Sequence, residues 1–374
     1  MPLTFATRKL LAVTMLAALP GVIATIGTAR AEQTFTYSSA LPAKHLGNEV
    51  GLVPFFATIK EKTGVDWQLH PGGSLGNFKE AFDTVSSRVV DGAAIVDSDA
   101  RQNLPGTSTL SDLSLQGTDP RVMAAAMNET VMIDRPDLWE EWTSQGVRPM
   151  AAYALAPFVL MCADDLRTLD SIQGRKIRAT GGFADAVRAL GAVPVTIEST
   201  EIYEGMRRGQ VDCVVASTAW LKSFSLFDVV KSINKEPLGL FFGAWIFAIS
   251  DDAWNELSDE QKKIHYETIP SLIRRSVEQY SLDGVEVEET SAQKGIEWFQ
   301  ADQAYRDRLD QFRISNVDEV IAKAKERGIA DPEGMVAVFM ENVEKWNKIV
   351  AEAGDDYDAY EQALWTEIFS KVQH

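Results

Sequence analysis

The sequence predicts an α/β protein of two domains, and three observations predict it. A strand–helix–strand–helix–strand pattern runs from Gln33 to Val96, and a second begins near Gly146. Alternation of this kind signals a parallel sheet with covering helices. The last third reads as helix. The chain has 374 residues, more than a single hydrophobic core usually supports.

The N-terminus has the form of an export signal. Arg8 and Lys9 precede an apolar run from Leu10 to Ile26, broken by Pro20 and Gly21. Ala29-Arg30-Ala31 presents small residues where a signal peptidase reads, so cleavage is expected between Ala31 and Glu32. A membrane anchor is the competing reading, but the run is short for a bilayer span and is interrupted. No later stretch is apolar enough to span, so the mature chain is expected to be soluble and periplasmic.

After the signal, Gln33–Ser38 reads as a strand. Residues 48–62 read as a helix, with Val50, Val53, Phe56 and Ile59 recurring every three residues and Gly64 as its C-cap. Val65–His70 is a second strand, Phe78–Val90 a helix and Ala93–Val96 a third strand. In the second unit, Arg148–Leu155, Phe158–Cys162, Lys176–Arg178, Val193–Ile197 and Val211–Ala216 are strand-like, with helices at Phe183–Leu190 and Ser199–Arg208. Ser258-Asp-Glu-Gln261 is a capping box opening a helix to about Lys294, with a kink expected at Pro270. Asp331-Pro332 starts another helix. Its stripe Met335, Phe339, Val343, Trp346 and Val350 is expected to pack on the body. Tyr357–Val372 is a last amphipathic helix whose Trp365 and Phe369 offer a dimer contact as the alternative, so the chain is expected to be a monomer or a dimer.

Composition narrows the function. The formal net charge is −18, and the signal segment contributes only basic residues. Such a surface repels nucleic acid and anionic membrane, so any anion site must be a local basic exception. Cys162 and Cys213 lie in apolar runs. An oxidising compartment allows a disulfide, but two buried free thiols are the expected state. No Cys-x-x-Cys occurs and the four histidines are scattered, so no metal and no cofactor are expected. Nucleophile-elbow, zinc-protease and phosphate-loop motifs are absent, and Gly181-Gly182 lacks dinucleotide-binding spacing. Nothing argues for an enzyme.

One arginine stands out. Arg178 ends a short strand just before a glycine-rich turn and a helix. Ligands of open α/β sheets bind beyond strand C-termini. A guanidinium there can pair bidentately with a carboxylate, beside a helix N-terminus that adds partial positive charge. The competing reading is a surface arginine paired to one of the chain's 54 acids.

The residues around it carry a resemblance. Asp165-Leu, Gly174-Arg-Lys-Ile-Arg178, Leu190-Gly-Ala-Val-Pro194, Glu201-Ile-Tyr203 and Arg208-Gly-Gln-Val-Asp212 follow in order. Lys62-Thr-Gly64 and Pro71-Gly-Gly-Ser-Leu-Gly76 lie upstream, and Trp254-Asn-Glu-Leu-Ser-Asp-Glu-Gln261 downstream. Over roughly residues 32 to 300 the chain resembles the solute-binding proteins of TRAP (tripartite ATP-independent periplasmic) transporters, the DctP family. The resemblance implies a two-lobed periplasmic binding protein of class II type, each lobe a mixed sheet flanked by helices, with a long helix spanning both. Lobe I is expected at 32–155 plus about 244–283 and lobe II at 156–243 plus about 284–330, with residues 331–374 as helices packed on the body. It also implies closure around one carboxylate, delivered to the membrane subunits of a TRAP permease.

By the same resemblance Arg178 is the ligand clamp, and Thr180 and Gly181 line the cleft. Asn77 is a polar contact, Asp97 to Arg101 a cleft-lining segment that includes Asp97 and Arg101 themselves, and Ser199 takes a position where some members place an aromatic. Glu201 and Tyr203 are expected to be structural. The chain departs from the family where Val211-Asp-Cys213-Val-Val-Ala216 replaces a polar run ending in a ligand-binding asparagine, and where Pro237–Phe242 is apolar. No second arginine lies near Phe158. Trp220, Phe242 and Trp245 are therefore candidate walls of a more apolar cleft, with core packing as the alternative, and the expected ligand is a monocarboxylate with an apolar or aromatic body. The competing functions are a receptor for an ABC importer or sensor and, further off, a periplasmic enzyme.

Overall fold

A computed structural model describes residues 1–2, 33–117 and 119–372 of the chain. The expected signal segment and its cleavage point fall on residues 3–32, outside the described residues. The strands, in chain order, are β1 (Gln33–Ser38), β2 (Val65–His70), β3 (Gly92–Val96), β4 (Val147–Tyr153), β5 (Phe158–Cys162), β6 (Lys176–Arg178), β7 (Val193–Val195), β8 (Cys213–Ser217), β9 (Ser232–Asn234), β10 (Ala244–Ser250) and β11 (Glu297–Phe299).

They form two mixed sheets. The first has the order β2-β1-β3-β10-β4, and the second β11-β9-β5-β8-β6-β7. In the first, β1 pairs in parallel with β2 and β3, while β10 runs antiparallel to β3 and β4. In the second, β6 is parallel to β7 and β8, and β5 is antiparallel to β8 and β9. The two parallel trios are the two strand–helix alternations of the sequence. The antiparallel partner in each is a fully buried apolar run: Ala244–Ser250 in one, Phe158–Cys162 in the other.

The chain passes from the first sheet to the second after β4, returns at β10, and crosses again through the helix Asp259–Gln293 to reach β11. Ser258 caps that helix, its hydroxyl accepting from the Gln261 N–H while Gln261 reaches back to the Ser258 N–H. The assigned helix is unbroken through the buried Pro270. It packs on Val53–Thr63 and on β4, and its second half meets the helix Trp220–Ser223. Lys222 pairs there with Asp283 at 3.2 Å and with Glu286 at 2.7 Å.

Aromatics fill the first core. Phe56 stacks on Trp67 at 5.6 Å, and Phe247 lies against both. Trp67 donates its indole proton to His265 Nε2 at 3.1 Å, and His265 Nδ1 donates to the Gln261 carbonyl at 2.7 Å. Burial holds the His265 pKa down at about 4. The helix Pro332–Ala353 starts at Asp331, which caps the Gly334 N–H. Its stripe is buried, as expected, and Trp346 donates to Glu129 at 2.7 Å. Phe369 is fully buried within the chain, which removes it from the dimer contact weighed for it, and Trp365 is half-buried.

The cysteines require a correction. They form a disulfide, Cys162–Cys213, rather than two free thiols. The two residues are direct cross-strand partners on β5 and β8. A register joining strands 51 residues apart brings the sulfurs together, and oxidising export would keep them bonded.

Candidate functional site

Arg178 is the last residue of β6, between Val195 of β7 and Val214 of β8. β6 stops level with the end of β7, while β8 runs on to Ser217, and the chain turns at once. Ala179, Thr180 and Gly181 make that turn, with Gly181 at φ +55°, and the helix Gly182–Ala189 follows. Gly182 is needed for close packing: a Cβ there would lie 2.4 Å from the Asp112 carbonyl oxygen.

The turn leaves the guanidinium inside. Arg178 is 6 % exposed, donates from Nε to the Ile197 carbonyl at 3.2 Å, and lies 5.7 Å over the Trp220 ring. Among the described residues no carboxylate lies within ion-pairing distance of it. Burial lowers its pKa to about 10, against the opposing pull of Asp99 and Glu198, so it stays charged at neutral pH. The surface-arginine reading does not hold.

Arg178 lines a cavity with about 660 Å³ of atom-free space, part of it open to solvent. Residues from both sheets line it. Tyr153, Trp245 and Asp99 come from the β4, β10 and β3 ends of the first sheet, and Thr180, Ser199 and Phe158 belong to the second. The walls are mostly apolar. Phe241 and Phe158 stack at 5.8 Å, and Trp220 meets Phe158 edge-on at 5.6 Å. Two acids share the space. Glu198 reaches Lys79 at 3.2 Å, linking a helix beside the first sheet to the second. Burial, then the Glu198 charge, pushes the Asp99 pKa up to about 6.

Five of the ten residues named from sequence meet here: Arg178, Thr180, Ser199, Trp220 and Trp245. The other five lie elsewhere. Asn77 is exposed and caps the helix Phe78–Ser86, accepting from the Lys79 and Glu80 N–H groups. Asp97 is buried behind the cavity, accepting from Ser111 at 2.6 Å, and burial raises its pKa well above the usual carboxylate range. Arg101 is committed to a bidentate pair with Asp112 at 2.7 and 2.8 Å. Gly181 serves the turn. Phe242 faces away and stacks on Phe339 at 5.5 Å, while its neighbour Phe241 takes the wall. Consecutive residues of an extended segment point to opposite sides, which explains the exchange.

The cavity also holds residues that no motif marked. His45 follows β1, Tyr280 sits on the long helix, and Tyr153 ends β4. They are far apart in sequence and meet only through the tertiary fold. Asp99 lies inside the segment Asp97 to Arg101 marked as cleft-lining. Among the described residues no group of three or more His, Cys, Asp or Glu is placed to hold a metal ion.

Known structures share this architecture. A marine-metagenome TRAP solute-binding protein specific for aromatic acid ligands superposes with a TM-score of 0.75 at 17 % identity, over 84 % of this chain and 100 % of that one. One from Bordetella bronchiseptica with bound (R)- and (S)-mandelate gives 0.70 at 23 % identity, over 83 % and 99 %. The ectoine-binding periplasmic protein TeaA of Halomonas elongata is 21 % identical over 168 residues, 44 % of this chain and 48 % of that one. The chain spans about half or less of the length of the curated relatives it matches. The profile of the bacterial extracellular solute-binding proteins of family 7 matches residues 39–323. The chain belongs to that family, DctP, whose members are the solute-binding proteins of TRAP transporters.

Proposed function

We propose that this chain is the extracytoplasmic receptor of a TRAP transporter, that it binds a small monocarboxylate with an apolar or aromatic body, and that it delivers this ligand to the membrane permease. The single observation that carries the reading is Arg178: a buried, charged guanidinium lining a cavity, with no carboxylate of the described residues within ion-pairing distance. A buried charge without a counterion is costly, and a ligand carboxylate removes that cost. The stacked aromatics around it suit a flat apolar body. Relatives of the same fold that hold aromatic acids and mandelate point to the same class.

The reading takes the two sheets as two lobes, with residues 154–157, residues 235–243 and the long helix as the connections that flex. Ligand bridging Arg178 and the first-sheet wall stabilises the closed form, because only that form makes both sets of contacts. The lobe boundaries given by the sequence, cleavage after Ala31 and residence in the periplasm belong to this proposal. So does binding without turnover.

The test is thermal-shift screening against organic acids, then calorimetry. An acid present at 100 times its Kd adds about 2.7 kcal/mol to stability. Arg178→Ala is expected to weaken the best acid by at least about 2 kcal/mol, because it leaves a carboxylate unpaired in a desolvated site. Undiminished affinity in that variant rules out the clamp.

A further inference from the structure

The first-sheet side of the cavity carries a hydrogen-bond chain with a fixed direction. His45 is fully buried, and burial holds its pKa down at about 3, so its ring is neutral and has one proton to give. Its Nδ1 accepts the Gly47 N–H at 3.1 Å, which puts that proton on Nε2. Nε2 lies 3.3 Å from the Tyr280 hydroxyl and donates to it. Tyr280 must then send its own proton onward. The Tyr153 hydroxyl is the group at hand: its ring lies 6.1 Å from that of Tyr280, and a Cβ on Gly47 would lie 3.3 Å from His45 Nδ1 and 3.6 Å from Tyr153 Oη. A Tyr280 proton given to the Tyr153 oxygen leaves the Tyr153 proton for whatever fills the cavity.

Trp245 adds a second donor. It is fully buried, it lines the same cavity, and its indole N–H finds no acceptor among the described residues. An indole nitrogen can only donate. Two donors lining one cavity, one beside the His45–Tyr280 pair and one unpaired among the described residues, call for an acceptor supplied from outside the chain.

We propose that Tyr153, oriented by His45 and Tyr280, forms with Trp245 a donor subsite that selects carboxylic acids bearing a second acceptor oxygen: hydroxy, oxo or lactam acids rather than plain hydrocarbon acids. The proposal rests on the reading that Arg178 holds the carboxylate, and it assigns the other end of the ligand. A ligand lacking that oxygen leaves buried donors unpaired, which disfavours it much more than a missing methylene would.

The experiment measures calorimetric affinities for acids paired by one oxygen: mandelate and 3-hydroxyphenylacetate against phenylacetate, and pyroglutamate against cyclopentanecarboxylate. In at least one pair the oxygenated member is expected to bind at least about tenfold more tightly. Tyr153→Phe is expected to shrink that ratio to within about twofold, an effect that a purely structural tyrosine would not have. Equal binding within every pair by the wild-type protein overturns the proposal, and this holds even if the variant fails to fold. An undiminished ratio in Tyr153→Phe also overturns it. In either case Arg178→Ala still tests the carboxylate clamp separately. If no acid in the panel binds, the donor subsite and the clamp both fall.

Discussion

Charge balance at single residues governs the cavity. A carboxylate arriving at Arg178 also meets Asp99 and Glu198. Lys79 offsets Glu198, and Arg101 lies near enough to favour the Asp99 anion. Asp99 itself has its pKa raised to about 6, first by burial and then by Glu198. A bound anion disfavours the charged form of Asp99 further, so above that pH binding must take up a proton. Affinity for a monocarboxylate is therefore expected to fall as pH rises through about 6, and to level off below it. Asp99→Asn should flatten the profile. Calorimetry from pH 5 to 8 in the wild type and the variant checks this, and a flat wild-type profile contradicts it. At this scale the sequence located what a motif could carry. Arg178, Thr180 and Ser199 sit at fixed offsets from strand ends, and they fall in the cavity. Asp97 and Asn77 have similar offsets, yet one turns into the core and the other caps a helix. Offsets along a chain do not say which side of a turn a side chain takes.

Elements were legible where each carries its own signal. The apolar runs of β5 and β8, the capping box at Ser258 and the Asp331-Pro332 start all appear where their patterns place them. Pairing between elements is a different kind of information. Cys162 and Cys213 each lie in an apolar run, and neither run says that it faces the other. The register that joins them comes from assembly of the whole sheet. The disulfide closes a span of 51 residues across two adjacent strands, and removing it should cost about 2–4 kcal/mol, mostly through a less constrained unfolded chain. Cys162→Ala with Cys213→Ala is therefore expected to shift the denaturant midpoint down, with a somewhat steeper slope because the uncrosslinked unfolded chain exposes more surface. An unchanged midpoint would mean that the bridge adds no stability. The helix Gln303–Glu326 is a different case, because its buried positions are spread among many charges and give little amphipathic contrast.

For the whole molecule, composition and topology point the same way. An acidic chain with a formal charge of −18 keeps anions away from most of its surface. The exception is one guanidinium at a strand end, reached where two mixed sheets face a common cavity. The twofold alternation of strand and helix was readable because each parallel trio is local in sequence. Most of the residues that join Arg178 across the cavity were not. They come from β4, β10 and the long helix, brought in by the crossings between sheets. His45, Tyr153 and Tyr280 belong to that second group, whereas Trp245 was named from the sequence as a candidate wall. The most direct test of the central claim is a crystal structure of the mature chain with the acid that stabilises it most. The account predicts that the ligand carboxylate lies on the Arg178 guanidinium, with both sheets contacting the ligand. A carboxylate held elsewhere while that guanidinium faces solvent would contradict it.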